Sequence, residues 1–266
     1  MSDNMCKWKS KYFPGYECRE PPLNGDEKGW CILHSERGDK DIAEFTGKVE
    51  KRMAAPDKID LRGCHFPEKF PADYFRGHKF DKPVNFSEAR FSQAYFIESE
   101  FSQTAIFTGA TFLQTVDFRR ATFSQNADFG VARFLHGVDF NGVTFSKEAN
   151  FYVTEFSYRA NFSLATFSQR ACFSRTTFSQ EVRFIDTKFL QDADFREAKL
   201  LKGAYFTGAG FSGGAGFIEA EFLQANFTKT TFSESADFFR AKVSQTDFEG
   251  TVFEKKARFD RTEFKE

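Results

Sequence analysis

Four residues near the start of the chain carry the side chains best suited to chemistry. Cys6, Cys18, Cys31 and His34 are spaced C-x11-C-x12-C-x2-H. A C-x2-H step lets two ligands converge on one ion from a tight turn, and the two more distant cysteines can close a tetrahedral shell. Three thiolates and one imidazole fill every position around zinc, which is the structural and not the catalytic arrangement. A structural zinc ion is therefore the expected cofactor. Residues 1–37 are too few to build a self-sufficient core, so ligation would supply much of their folding energy. Trp8, Tyr12, Phe13, Tyr16 and Trp30 would form the small apolar cluster around the ion. The alternative is a set of unligated thiols in a loose tail. Six basic and six acidic residues balance in this window. A phosphate-binding surface would be biased toward Lys and Arg, so nucleic acid is not expected as a partner.

Elsewhere the residues do not assemble into a second site. Four histidines are present, His34, His65, His78 and His136, and no H-E-x-x-H pair occurs. Asp117 and Asp139 lie 22 residues apart, with Asn161 continuing the series. Stacked carboxylates repel unless a cation or a neighbour such as Arg119 neutralises them; a solvated face is the preferred reading. Net charge is −1, which gives no global field toward nucleic acid or anionic lipid. No run of 18 apolar residues argues for a membrane span. The polar start from Met1 to Ser10 does not read as a secretory signal. Five cysteines, an odd count gathered toward one end, do not read as a disulfide framework. A reducing, cytoplasmic setting is expected.

Most of the chain after these ligands is a ladder. From Val84 to Phe264 a large apolar residue recurs every five or six positions, giving 34 centres, of which 32 are Phe and two are Leu200 and Val243. The residue two positions earlier is always small: 21 Ala, 7 Thr, 5 Val and 1 Ser. In a short extended segment, positions i−2 and i share a side, so the small residue and the Phe point inward and the polar residue between them points out. Fixed-period self-similarity without helical spacing predicts a solenoid. Between Phe101 and Phe222 the spacing alternates six and five, which places an extra residue at two opposite corners. Gln103 and Gln125, and Gln169 and Gln191, fall 22 apart there, the right spacing for coil-to-coil hydrogen bonds.

Asn85-Phe86-Ser87, Ala127-Asp128-Phe129, Ala160-Asn161-Phe162 and Ala193-Asp194-Phe195 closely resemble the motif of the pentapeptide-repeat family, small–Asp/Asn–Leu/Phe–x–x. The resemblance covers about two-thirds of the chain. It implies an all-β solenoid, a right-handed quadrilateral β-helix with four units per coil, about 40 Å long at roughly 4.8 Å per coil. The N-terminal segment is similar to small zinc-like modules that precede such repeats. Three domains are expected: a metal module over 1–37, a helical cap and linker over 38–58, and the β-helix over 59–266, regular from 84. In the linker, Ile42, Phe45, Val49 and Met53 make one helical stripe within Asp39 to Met53, with Asp39 or Asp41 as cap and Pro56 as stop. Leu61, Phe66, Phe70, Phe75 and Phe80 read as irregular early coils.

The expected function is that of a rigid, non-catalytic scaffold for protein–protein interaction with an unidentified protein partner. The residue after a centre is usually polar, but Leu201, Ile218, Leu223 and Phe239 are apolar and form a candidate interaction patch. Some members of the family are acidic DNA mimics that protect a type II topoisomerase. Residues 81–266 sum to about −2, which disfavours that alternative; a β-helix hydrolase or lyase is the other. Lys255, Lys256, Arg258, Arg261, Glu263, Lys265 and Glu266 put charge around the last coil, discouraging open-ended stacking while leaving end-to-end homodimerisation available.

Overall fold

The computed structural model describes residues 5–265; Met1 to Asn4 of the expected module and Glu266 of the charged edge lie outside them. Nearly all strands are two residues long, and all pair in parallel with the coil above and below. Four faces result. The first is a ten-stranded sheet running from Ile59–Asp60 to Ala257–Arg258, and a nine-stranded sheet from Lys79–Phe80 to Val252–Phe253 forms the fourth. The second and third faces join into one 16-stranded sheet, because Lys199–Tyr205 and Glu221–Asn226 run straight through the corner between them. Register is set by the repeat: Val116 pairs with Val138 and Asp117 with Asp139, one coil apart.

Inside, the Phe side chains form columns. Phe118 stacks on Phe140 at 4.8 Å between centroids and 7° between planes, and Phe101 on Phe123 at 4.5 Å and 2°. Columns on different faces meet edge-on, as Phe118 and Phe129 do at 88°. Both geometries suit the ring quadrupole. Ala at the small position leaves room for these rings. Leu200 and Val243 interrupt the second column and are themselves buried.

The polar residue of the motif has a local task. The corner after each centre of the first and third faces is a tight turn: after Phe118, Ala121 N–H donates to Phe118 O (3.0 Å), Asp117 Oδ1 accepts from Arg119 N–H (2.9 Å), and Arg120 takes φ 57°. Asp or Asn therefore appears before the Phe because its carboxylate or amide oxygen satisfies the corner amide. The six-residue corners alternate with these, at opposite edges of the square. The Gln side chains there are exposed. Gln103, Gln125, Gln169 and Gln191 make no coil-to-coil bond among the described residues, where such a pair joins Gln224 to Gln245 at 3.4 Å, on the other corner. An exposed amide gains little from leaving water, so the spacing alone does not build a ladder.

Thr at the small position is also not interchangeable with Ala. Thr154 Oγ1 donates to Phe129 O (2.7 Å) in the preceding coil, and Thr176, Thr187 and Thr230 repeat the bond to Phe151, Phe162 and Phe206. Thr154→Val keeps the shape and deletes one buried bond. Its unfolding midpoint in urea should fall by the equivalent of about 1 kcal/mol; an unchanged midpoint would contradict this role.

The helix spans Ile42–Met53, which matches the apolar stripe and starts three residues later than the expected Asp39. Asp41 caps it by accepting from Glu44 N–H (2.8 Å), while Asp39 pairs with Arg37 at 2.5 Å instead. Phe45 and Val49 are buried. Phe45 meets Phe66 and Phe70 edge-on at 5.6 and 5.5 Å, so the helix closes the apolar end of the rod. Leu61, Phe66, Phe75 and Phe80 supply the first coil, with Phe70 filling the space beneath the helix.

Candidate metal centre

Residues 5–37 contain neither helix nor strand. Three stretches are held side by side by backbone bonds: Cys6 N–H to Glu20 O (2.9 Å), Lys7 N–H to Gly29 O (3.0 Å) and Leu23 N–H to Trp30 O (2.8 Å). A tight turn follows, in which His34 and Ser35 both donate to Cys31 O, at 3.0 and 2.8 Å. That turn brings Cys31 Sγ to 3.2 Å from His34 Nδ1, while Cys6 Sγ lies 3.3 Å from the same nitrogen. Cys18 Sγ sits 3.8 Å from Cys31 Sγ. The four ligand atoms fall within 4.8 Å of one another, and all four residues are buried.

This geometry fits a metal ion. Tetrahedral ligation with Zn–S near 2.3 Å separates two sulfurs by about 3.8 Å, and every ordinary ligand position is filled by a protein atom. The outer contacts agree. Cys31 N–H points at Cys6 Sγ (3.2 Å), a bond that favours thiolate. His34 Nε2 lies 3.0 Å from Arg62 O, so an Nε2–H proton donated there leaves Nδ1 free as the ligand. Trp8 stacks flat on the imidazole at 4.4 Å and 8°.

The ionisation of these groups is interdependent. Hydrogen bonds from the Cys18 and Cys31 thiols pull the Cys6 thiol below its ordinary value, while bonds to Cys18 and Cys6, with burial, push Cys31 up. Burial works to depress His34, but its contacts with Cys18 and Cys6 outweigh that and raise it to about 9. A divalent ion would replace the protons these buried groups otherwise divide. Cys64 and Cys172 stand apart, and burial raises both thiols.

Ion pairs tie the module to the helix, and a guanidinium–ring contact ties it to the rod. Glu20 binds Lys48 (2.7 Å) and Arg52 (3.4 Å) of the helix. Arg62, paired with Asp60 at 2.6 Å, lays its guanidinium 3.8 Å from the Tyr16 ring.

The candidate patch divides into two columns. Leu201 and Leu223 occupy the corner between the second and third faces, and Ile218 and Phe239 the corner between the first and second. The outward side chains of Lys199, Glu221 and Lys242 lie between them. Leu223 is 52% exposed; the other three are half-buried. Arg258, Arg240 and Arg261 hold guanidinium groups 4.1, 5.1 and 6.0 Å from the Phe239 ring.

At the stacked carboxylates, Arg119 donates to both oxygens of Asp117 (3.0 and 2.9 Å), and Asn161 Nδ2 donates to Asp139 (3.0 Å). Those side chains meet the need a cation would have met. The stretch Gly208 to Gly214 spells both G-x-G-x-x-G and G-x-S-x-G, patterns that the repeat reading passes over. It straddles the strand Gly210–Phe211 and a corner, with no helix after it. A Cβ on Gly213 would sit 2.4 Å from the Gln191 backbone, so close packing of coils accounts for that glycine. Ser212 is exposed, and its hydroxyl has no hydrogen-bond partner among the described residues.

Comparison with known proteins matches residues 75–122, 107–154, 151–199 and 173–221 to the family described as pentapeptide repeats (9 copies). No curated relative matches the chain. Among solved structures, HetL from the cyanobacterium Nostoc sp., a pentapeptide repeat protein involved in heterocyst differentiation regulation, is 17% identical. That alignment covers 82% of this chain and 93% of HetL, with a TM-score of 0.25. QnrB1, a plasmid-mediated fluoroquinolone resistance protein, is 16% identical in its full-length form over 74% of this chain and 92% of that one, at a TM-score of 0.28. A trypsin-treated form of QnrB1 is 19% identical over 74% and 89%, at 0.32. At such scores the solved rods say nothing about the surface of this one.

Proposed function

This chain belongs to the pentapeptide-repeat family, and from that premise we propose that it is a rigid, non-catalytic scaffold for protein–protein interaction, with a structural zinc ion in its N-terminal module. The observation that carries the reading is how the outer surface spends its charges. They pair from coil to coil: Arg133 with Glu155 (3.0 Å), Arg175 with Glu197 (3.0 Å), Arg240 with Glu219 (3.2 Å) and Lys255 with Glu234 (2.7 Å). Pairing of this kind makes a nearly neutral rod. Among the described residues it offers neither the negative stripe that DNA mimicry needs nor a convergence of acid, base and nucleophile.

Zinc is favoured over other ions by three soft thiolates and one imidazole in a closed four-position shell. The module over 1–37, the linker over 38–58 and the rod over 59–266 are then three units with separate tasks: ligation, end-capping and display. Thiol ligands and the free Cys64 and Cys172 suit a reducing, cytoplasmic compartment. No helix is long and apolar enough to cross a membrane among the described residues.

The display surface is the pair of corner columns holding Leu201, Ile218, Leu223 and Phe239. Exchanging Leu223 and Phe239 together for Ser should remove a reproducible set of proteins from affinity capture while leaving the melting temperature within a few degrees. An unchanged capture profile from a folded double variant would overturn the patch.

A further inference from the structure

The corner between the first and second faces carries a column of residues in the left-handed backbone region. It begins Gly63 (φ 60°), Glu88 (φ 57°) and Gly109 (φ 66°), then continues with Val131 and Val153 at φ 51° and 55°. Since Glu and even β-branched Val adopt this conformation here, φ alone does not explain the two glycines. Room does. The Trp8 ring lies on Gly63, where a Cβ would stand 2.1 Å from it, and the Tyr12 ring lies on Gly109, where a Cβ would stand 2.4 Å away. Between them the Glu88 carboxylate accepts from Lys11 N–H (2.8 Å), from Tyr12 N–H (3.2 Å) and from the Ser10 hydroxyl. Residues 8–13 thus run along the rod as a strap across its first three coils, and the corner beneath is shaped to receive them.

The other side of the strap is the metal centre. Cys6 is a ligand two residues before Trp8, and Trp8 is clamped between the His34 ring and Gly63. His34 in turn lies against Arg62 O, one residue before that glycine. We propose that the cluster of Cys6, Cys18, Cys31 and His34 is a clasp: its metal holds the strap down, and loss of the metal lifts the strap and uncovers the corner of Gly63, Glu88 and Gly109. This rests on the metal-binding reading above. With the ion gone, three buried thiols and an imidazole have no common partner, and the strap keeps its bonds to the Glu88 carboxylate and the contacts of its rings on Gly63, Gly109 and Arg62. Those open readily. The rod then presents a surface that differs between its metal-bound and metal-free states.

Hydrogen exchange on the full chain tests this, with zinc content measured on the same samples. Glu88→Ala removes the acceptor, and Gly109→Val places under Tyr12 a residue the corner accepts at Val131 and Val153. Both variants should keep the zinc of the native chain, while exchange at Lys11 and Tyr12 rises about tenfold or more. Chelation of the native chain should give the same rise, with a shift in Trp8 fluorescence, and zinc re-addition should reverse it. Tyr12→Ala serves as a milder variant should Gly109→Val fail to fold. Zinc retained with unchanged exchange in the variants overturns the strap. Zinc removed with unchanged exchange in the native chain overturns the clasp. A native chain that takes up no zinc overturns the metal reading and the clasp with it.

Discussion

Phe162→Asp abolishes folding of the rod, whereas Asn161→Ala, one position earlier, lowers its stability by only about 1–2 kcal/mol. The contrast is large because the two side chains point opposite ways. Phe162 is fully buried, stacked between Phe140 (4.8 Å) and Phe184 (5.1 Å) and flanked edge-on by Phe151 and Phe173. Removing such a ring alone costs about 3–5 kcal/mol. A carboxylate in its place must also be desolvated among aromatic faces, with no donor inside the rod to compensate it. Since neighbouring coils stack on that one, the damage is not confined to a single unit. Asn161 instead lies on the outside. It donates to Asp139 (3.0 Å) and accepts from Ser163 N–H (3.0 Å), so its loss deletes two partly exposed bonds. Far-UV circular dichroism with urea unfolding distinguishes the outcomes; equal loss of structure in both variants would contradict the inward–outward assignment.

The second large effect is local. Cys31→Ala removes the most enclosed ligand, which is 0% exposed and touches both Cys18 Sγ and His34 Nδ1. Zinc ligation in small modules supplies on the order of 10–16 kcal/mol of apparent folding free energy. Residues 5–37 hold themselves with a handful of backbone bonds and no regular element. Without the ion they should lose protection throughout and become the first site of proteolysis. The rod should survive, because its Phe columns and the helix over Phe66 and Phe70 do not depend on the ligands. Limited proteolysis followed by mass spectrometry should yield an intact fragment beginning in the linker. Cleavage no faster than in the native chain would show that the module folds without metal.

Most of the rod is legible in the sequence because one physical requirement repeats: each coil needs four large inward residues and room beside them. Phe86 to Phe264 and the small residues before them state that requirement directly. The four candidate ligands are legible for a different reason, since thiols and imidazole in one short window have few other uses. What escapes is everything that lacks a period. The strap joins Trp8 to Gly63 and Tyr12 to Gly109 across 55 and 97 residues, and nothing at either end announces the other. Glu88 looks like any outward carboxylate until three donors are seen around it. The Thr hydroxyls at 154, 176 and 187 hide behind a size rule that treats Thr and Ala alike. The Gln corners mislead in the opposite direction: their 22-residue spacing is right, but exposed amides stay with water. Leu223 and Phe239 fall on neighbouring corners, and the charged face between them follows from which corner each unit occupies.

The most direct test is the number of zinc ions per chain, measured by elemental mass spectrometry on full-length protein purified without added metal, beside Cys31→Ala prepared in the same way. One ion per native chain and almost none in the variant is the expected result. A native chain free of zinc, or a variant that holds as much, would contradict the account of Cys6, Cys18, Cys31 and His34 as the centre that organises the end of the rod.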